Sequence, residues 1–266
     1  MKGSGMKIAT WNINGVKARI DNLCQWLESS APDIVCLQEI KSQDDGFPRM
    51  EIEALGYHVE THGQKGFNGV ALLSKMRPDE TNRGLPGDDG DEQARFIEGV
   101  FSVKGGALRV CSLYLPNGNP PDDPVKYPYK LSWMERLKTF AEARLALEEP
   151  LVLAGDYNVI PEPYDCHDPN VWAGDALFLP TTRQAFRRLE NLGFVDAVRA
   201  TSDDAKLYSF WDYQAGAWQK NNGIRIDHLM LSPEAADRFR SAQIEKQARS
   251  WEKPSDHVPV AGWFDF

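Results

Sequence analysis

The sequence predicts an α/β protein in which two packed β-sheets are covered by helices. Three observations carry that reading. Apolar runs bounded by turn residues recur along the whole chain, helix-period segments separate only some of them, and there is no strict alternation of strand and helix such as a doubly wound sheet or an alternating barrel needs.

In chain order, KIATWNI (7–13), DIVCLQEI (33–40), GVALLSK (69–75), RFIEGVFSV (95–103), LRVCSLYL (108–115), LVLAGDYNV (151–159), IRIDHLMLS (224–232) and VPVAGWFDF (258–266) read as strands. Several are apolar on both faces, as buried strands are. From Val16 to Ser29, the residues Ile20, Leu23, Trp26 and Leu27 fall on one helical stripe; from Lys130 to Glu148, Leu131, Met134, Leu137, Phe140 and Leu145 do the same. A third helix is expected from about Thr182 to Asn191, with Gly193 as its C-terminal stop. RGLPGDDGDEQA and YLPNGNPPDDPVKYP are rich in Gly, Pro and Asp and read as long surface loops.

A chain of 266 residues with 42% apolar and 26% charged residues can bury a sizeable core, and one compact domain over residues 6–266 is expected. Residues 1–5 read as an added linker, with Met6 as the natural start. The four cysteines lack CxxC spacing, which fits reduced, buried thiols and a reducing cytoplasm. No apolar run approaches the roughly 18 residues of a spanning helix, and the start has no secretory apolar core. With a net charge of −9, the chain does not coat a polyanion by bulk attraction, so any nucleic acid must meet a local basic surface.

Polar residues gather where strands end. Asn12 and Asn14 follow IATW, Glu39 closes IVCLQ, Tyr114 closes VCSL, and Asp156 and Asn158 follow LVLAG. Asp227 interrupts IRIDHLML, and Asp256 and His257 precede VPVAGWF. Each has an ordinary reading: a Glu39–Lys41 salt bridge, an Asx-turn in GDYN, a satisfied core tyrosine or histidine. Asp227 resists one, because an acid within an apolar strand costs free energy unless it is paired or metal-bound. Together they form a hard-oxygen set suited to magnesium or manganese and a phosphate ester, and poorly suited to zinc. His228, next to Asp227 in a strand, should point to the opposite face and take no part in catalysis. Asp256 and His257, being adjacent, should likewise find separate partners.

From Met6 to about Phe264 the chain resembles the exonuclease III family of abasic-site endonucleases, within the exonuclease, endonuclease and phosphatase superfamily. WNINGVKAR, PDIVCLQEIK, GYHVETHGQKGFNGVALLSK, RGLPGDD, LYLPNG, LAGDYNV, FWDY, GIRIDHLML and EKPSDHVPV occur in family order. The resemblance implies a four-layer α/β sandwich of the DNase I kind, two stacked mixed sheets flanked by helices. It implies a monomeric, divalent-metal-dependent phosphodiesterase acting on duplex DNA at abasic sites and at recessed or blocked 3' ends, leaving a 3'-hydroxyl.

Carried over residue by residue, the resemblance makes Glu39 the main metal ligand, with Asn12 and Asp256 assisting, and magnesium or manganese the cofactor. It makes Asp156 the group that positions or deprotonates water, Asn158 the amide that orients Asp156 and the phosphate, and Tyr114 a donor to the phosphate. It pairs His257, on a phosphate oxygen, with Asp227. It sets Trp211 in the pocket for an extruded abasic sugar, and Lys41 and Lys65 on DNA phosphates, with Arg95 as a further contact. The general base is left open among Asp156, His257 and Tyr114. The segment from Pro161 to Leu179, where relatives insert at a DNA groove, is poor in Lys and Arg here. Two rival readings are a superfamily phosphatase acting on a non-nucleic-acid ester and a catalytically inactive DNA-binding module.

Overall fold

A computed structural model describes residues 5–266. The expected linker lies, apart from Gly5, outside the described residues. Twelve strands form two six-stranded sheets. The first sheet contains β1 (Met6–Asn12), β2 (Ile34–Gln38), β3 (His58–His62), β4 (Val70–Ser74), β11 (Phe239–Ile244) and β12 (Val260–Phe264). Its order is β11-β12-β1-β2-β4-β3. The second contains β5 (Glu80–Arg83), β6 (Phe96–Val103), β7 (Gly106–Tyr114), β8 (Leu151–Asp156), β9 (Val195–Asp196) and β10 (Asp227–Leu231), in the order β5-β6-β7-β8-β10-β9.

The two sheets repeat one plan. Each has a single parallel pair at its centre, β1 with β2 and β7 with β8, and antiparallel strands outside it. The carboxyl ends of the parallel pairs therefore lie on the same side as the amino ends of their antiparallel neighbours β12 and β10. Asn12, Gln38, Tyr114 and Asp156 are delivered from the first kind of end and Asp227 from the second.

Alternation along the strands sorts side chains into layers. Ile8, Ile34, Cys36 and Leu72 meet Ile97, Val110, Val152 and Leu229 between the sheets. The opposite face of the first sheet, with Trp11, Val35 and Leu37, takes Leu23, Trp26 and Leu27 from the helix Ile20–Ser30. The opposite face of the second takes Trp133, Leu137 and Phe140 from the helix Lys126–Leu145 and Phe186 and Leu189 from the helix Pro180–Glu190. The result is the four-layer sandwich of helix, sheet, sheet and helix. Gly155 has a specific place in it: a Cβ there would overlap the carbonyl oxygen of Leu113 on the parallel neighbour.

Candidate active site

Asp156, Asp227 and His257 are almost fully buried at the strand ends described above, and Glu39 is half-buried beside them. His257 Nδ1 lies 2.8 Å from Asp227 Oδ2, and its Nε2 lies 3.7 Å from Asp156 Oδ2. Asn12 Nδ2 donates to both Glu39 Oε1 and Asp156 Oδ2 at 2.9 Å. Glu39 Oε2 pairs with Lys41 Nζ at 2.9 Å, which also donates to Asn14 Oδ1 at 2.6 Å. Donor atoms of Glu39, Asp156 and His257 all fall within 4.8 Å of one another.

Local backbone turns these groups inward. Glu39, Lys41 and Asn158 have φ of 47°, 49° and 46°. The left-handed region costs an ordinary residue about 1–2 kcal/mol, so the neighbouring structure must hold it. It does so for the Glu39 turn through Ile40 N on Gly69 O (3.1 Å) and Lys41 N on Asn68 O (3.0 Å), which tie it to the loop His62 to Gly69. In GDYN, Asp156 Oδ1 accepts from Asn158 N at 2.9 Å, so the Asx-turn and the catalytic placement are the same conformation.

Charge follows from this packing. Burial opposes the imidazolium of His257, but the carboxylates of Asp227 and Asp156 outweigh it and hold the ring's pKa up at about 10. Burial raises Asp156 to about 7, with the charge of Asp227 adding to it and that of His257 opposing. Burial works to raise Glu39 too, yet the Asn12 amide and the Lys41 ammonium bring it below the ordinary carboxylate value. Tyr114 is driven well above its usual value by burial and by the charges of Glu39 and Asp156, so its oxygen is a phenol and a donor. The donor set fits a hard divalent cation: Glu39 and Asp156 offer carboxylate oxygens beside the His257 ring, and Asp227 Oδ1 is buried with no hydrogen-bond partner.

Three of the expected placements differ. Asn12 turns its amide nitrogen, not its oxygen, to the carboxylates of Glu39 and Asp156, because the oxygen accepts from Asn14 N at 3.0 Å. Asp256 stands outside the Glu39–Asp156–His257 group and is held on Asn14 Nδ2 at 3.0 Å, on the Lys41 side of the cleft. Trp211 lines no open pocket: it is 0% exposed, sits edge-on to Tyr208 and Trp218, and donates to Asn221 Oδ1 at 3.1 Å. It is Phe210, half-buried, whose ring meets the His257 imidazole at 4.9 Å, because neighbours along this extended segment alternate sides.

The other placements are direct. Lys41 borders Glu39, Lys65 stands exposed in the glycine-rich loop, and Arg95 stacks on the Tyr114 ring at 4.9 Å. His228 points away from Asp227 to Arg225 (3.0 Å) and Val159 O (3.1 Å). Sequence reasoning missed Ser209, which donates to Asp227 Oδ2 at 2.6 Å, and Asn117, which donates to Asn158 Oδ1 at 3.1 Å. It also missed Lys130, although a signal was there: a lysine on the buried stripe of Trp133, Met134, Leu137 and Phe140.

Comparison with known proteins agrees with the fold. The Endonuclease/Exonuclease/phosphatase family matches residues 9–257. The chain is 37% identical to exodeoxyribonuclease III of Haemophilus influenzae over 268 residues, covering 98% of this chain and 100% of that protein. Among solved structures, a 3' phosphatase from Neisseria bound to a product DNA hairpin superposes with a TM-score of 0.94 at 35% identity, and an AP endonuclease from Archaeoglobus fulgidus with 0.91 at 36%; each comparison covers 98% of this chain and 100% of the other.

Proposed function

The chain belongs to the endonuclease/exonuclease/phosphatase family, and we propose that residues 6–266 form one catalytic domain that repairs DNA by metal-dependent hydrolysis of phosphodiesters. It is a nuclease of the exonuclease III kind, with abasic-site endonuclease and 3'-to-5' exonuclease activity. Its substrates on this reading are duplexes with abasic sites and recessed or blocked 3' ends, bound by a monomer and leaving a 3'-hydroxyl; magnesium is the metal, with manganese able to replace it. The free cysteines support a cytoplasmic setting, and no helix of the described residues is long and apolar enough to cross a membrane.

The observation that carries the reading is the His257 ring, held by Asp227 and facing Asp156 where the strands of both sheets end, with its pKa raised to about 10 by those carboxylates against the opposing effect of burial. A charged N–H placed there stabilises a phosphate oxygen as negative charge builds on it. Asp156, with its pKa lifted towards neutrality and its other oxygen held by Asn158 N, is placed to take a proton from the attacking water. Tyr114 remains a phenol and donates to the phosphate rather than attacking. A bound divalent cation at Glu39 would add Lewis-acid charge to the phosphate and the leaving oxygen. Phe210 offers an apolar wall beside the imidazole for a base-free sugar, the role expected of Trp211.

The test is a duplex carrying one synthetic abasic site and one recessed 3' end, incubated with magnesium. Internal nicking and end digestion are both expected, and both should vanish with chelator. Glu39→Ala and Asp156→Asn should each lower nicking by about 10²–10⁴-fold. Unchanged nicking in both variants, or hydrolysis of a simple phosphate ester with none of the duplex, would defeat the assignment.

A further inference from the structure

We propose that Lys130 is a positioning residue of this site: its amino group, buried beneath the site, binds the carbonyls of Asn117 and Asn158 and fixes the two loops that follow Tyr114 and Asp156, the second of which carries Asn158. The proposal rests on the nuclease reading above.

Lys130 is 0% exposed and lies on the inward face of the helix Lys126–Leu145, where its neighbours on the stripe are apolar. Its Nζ donates to Asn158 O at 2.6 Å and to Asn117 O at 3.0 Å. Among the described residues no carboxylate lies within ion-pair distance of it. A fully buried ammonium without a paired carboxylate is an expensive way to fill a core position that Leu or Met would fill better. What a methionine could not do is bind two loop carbonyls at once.

Those carbonyls belong to the strained part of the site. Asn158 has φ 46°, and Gly118, at φ 87°, lies so close that a Cβ there would stand 2.7 Å from Lys130 Cδ. The same two loops are knitted by Asn117 Nδ2 on Asn158 Oδ1 (3.1 Å) and by Asn158 Nδ2 on Leu115 O (2.9 Å). Lys130 closes this ring from below, and Asn158 N, at its upper rim, holds Asp156 Oδ1. Burial lowers the Lys130 pKa to about 7, with Asp156 and Asp175 acting in the opposite sense, and the amino group can donate to both carbonyls whether or not it is protonated.

The experiment compares steady-state nicking of the abasic duplex by the unmodified full chain, Lys130→Met and Lys130→Arg, well below each protein's thermal midpoint. A displaced catalytic loop costs up to about 100-fold, so Lys130→Met should lose about tenfold or more in kcat. KM and the magnesium concentration for half-activation should stay within about threefold, since Glu39, Lys41 and Lys65 are untouched. Lys130→Arg, which keeps charge and donors, should recover part of kcat. A Lys130→Met enzyme with kcat within about twofold of the parent, or a loss that falls on KM instead, overturns the proposal. Should Lys130→Met not fold, Lys130→Ala is assayed with added propylammonium: recovery of kcat that rises with amine concentration supports the proposal, and none in a folded protein overturns it. An unmodified protein that nicks nothing counts against the nuclease reading itself, whereas equal nicking by parent and Lys130→Met counts against Lys130 alone.

Discussion

His257 carries a carboxylate on each side of its ring, and the two are unequal: Asp227 bonds Nδ1 at 2.8 Å, while Asp156 stands 3.7 Å from Nε2 across the cleft. The first bond, supported by Ser209 on the same Asp227 oxygen, orients the ring and favours its charged form; the second distance leaves the other N–H free to serve a phosphate. Asp227→Asn removes the charge and keeps the shape. In chelator-treated protein the His257 pKa should then fall from about 10 towards the ordinary 6.5, read by NMR titration of the ring. Nicking should drop by about 10²–10⁴-fold while manganese binding to the folded protein is unchanged. Stability follows with a definite sign. A folded pKa above the unfolded one means that the native state binds more protons, so the His257 contribution is complete below about pH 6.5 and is lost as pH rises through about 10. The thermal midpoint of the metal-free parent should therefore fall more steeply between those limits than that of Asp227→Asn.

Among the elements, the central strands were legible because both their faces are apolar, and the helices Ile20–Ser30, Lys126–Leu145 and Pro180–Glu190 because their buried stripes are mostly apolar. The strands β3, β5 and β11 were not: each lies at a sheet edge, and ETNR and FRSAQI carry too few buried residues to mark a strand. The segment from Pro161 to Leu179 was expected to be an insertion near DNA, and its anchor was also hidden. Asp165 pairs with Arg225 at 2.7 Å, and Arg225 pairs with Asp196 at 2.5 Å, all three buried, so the segment is fastened two residues before Asp227. Arg225→Met would leave two carboxylates buried without this partner and should cost about 3–5 kcal/mol in urea unfolding. If the midpoint hardly moves, the network does not hold the segment.

At the scale of the whole molecule, a protein of net charge −9 has to bind a polyanion through a few local cations. Around the site stand Lys41, paired with Glu39, Arg19, which donates to Asn14 O, Arg95, stacked on Tyr114, and the exposed Lys65, while the segment from Pro161 to Leu179 contains no Lys or Arg. If about three to four phosphates are neutralised, log affinity for the duplex should fall with log salt at a slope of about −3. A slope near zero would remove this face as the DNA contact. Already legible in the chain were strand ends supplied with carboxylates, amides, one tyrosine and one histidine, and a pattern of apolar runs that fits two packed sheets better than a doubly wound sheet or an alternating barrel. The tertiary structure alone decided which atoms meet. It turned the Asn12 nitrogen to Glu39 and Asp156, exchanged Trp211 for Phe210 at the imidazole, and set Lys130 under Asn158. The reason is range. Hydrophobic periods of 2 and 3.6 are properties of neighbouring residues, whereas His257 meets Asp227 across 30 positions and Asn12 meets Asp156 across 144, contacts that exist only once the two sheets have closed on each other.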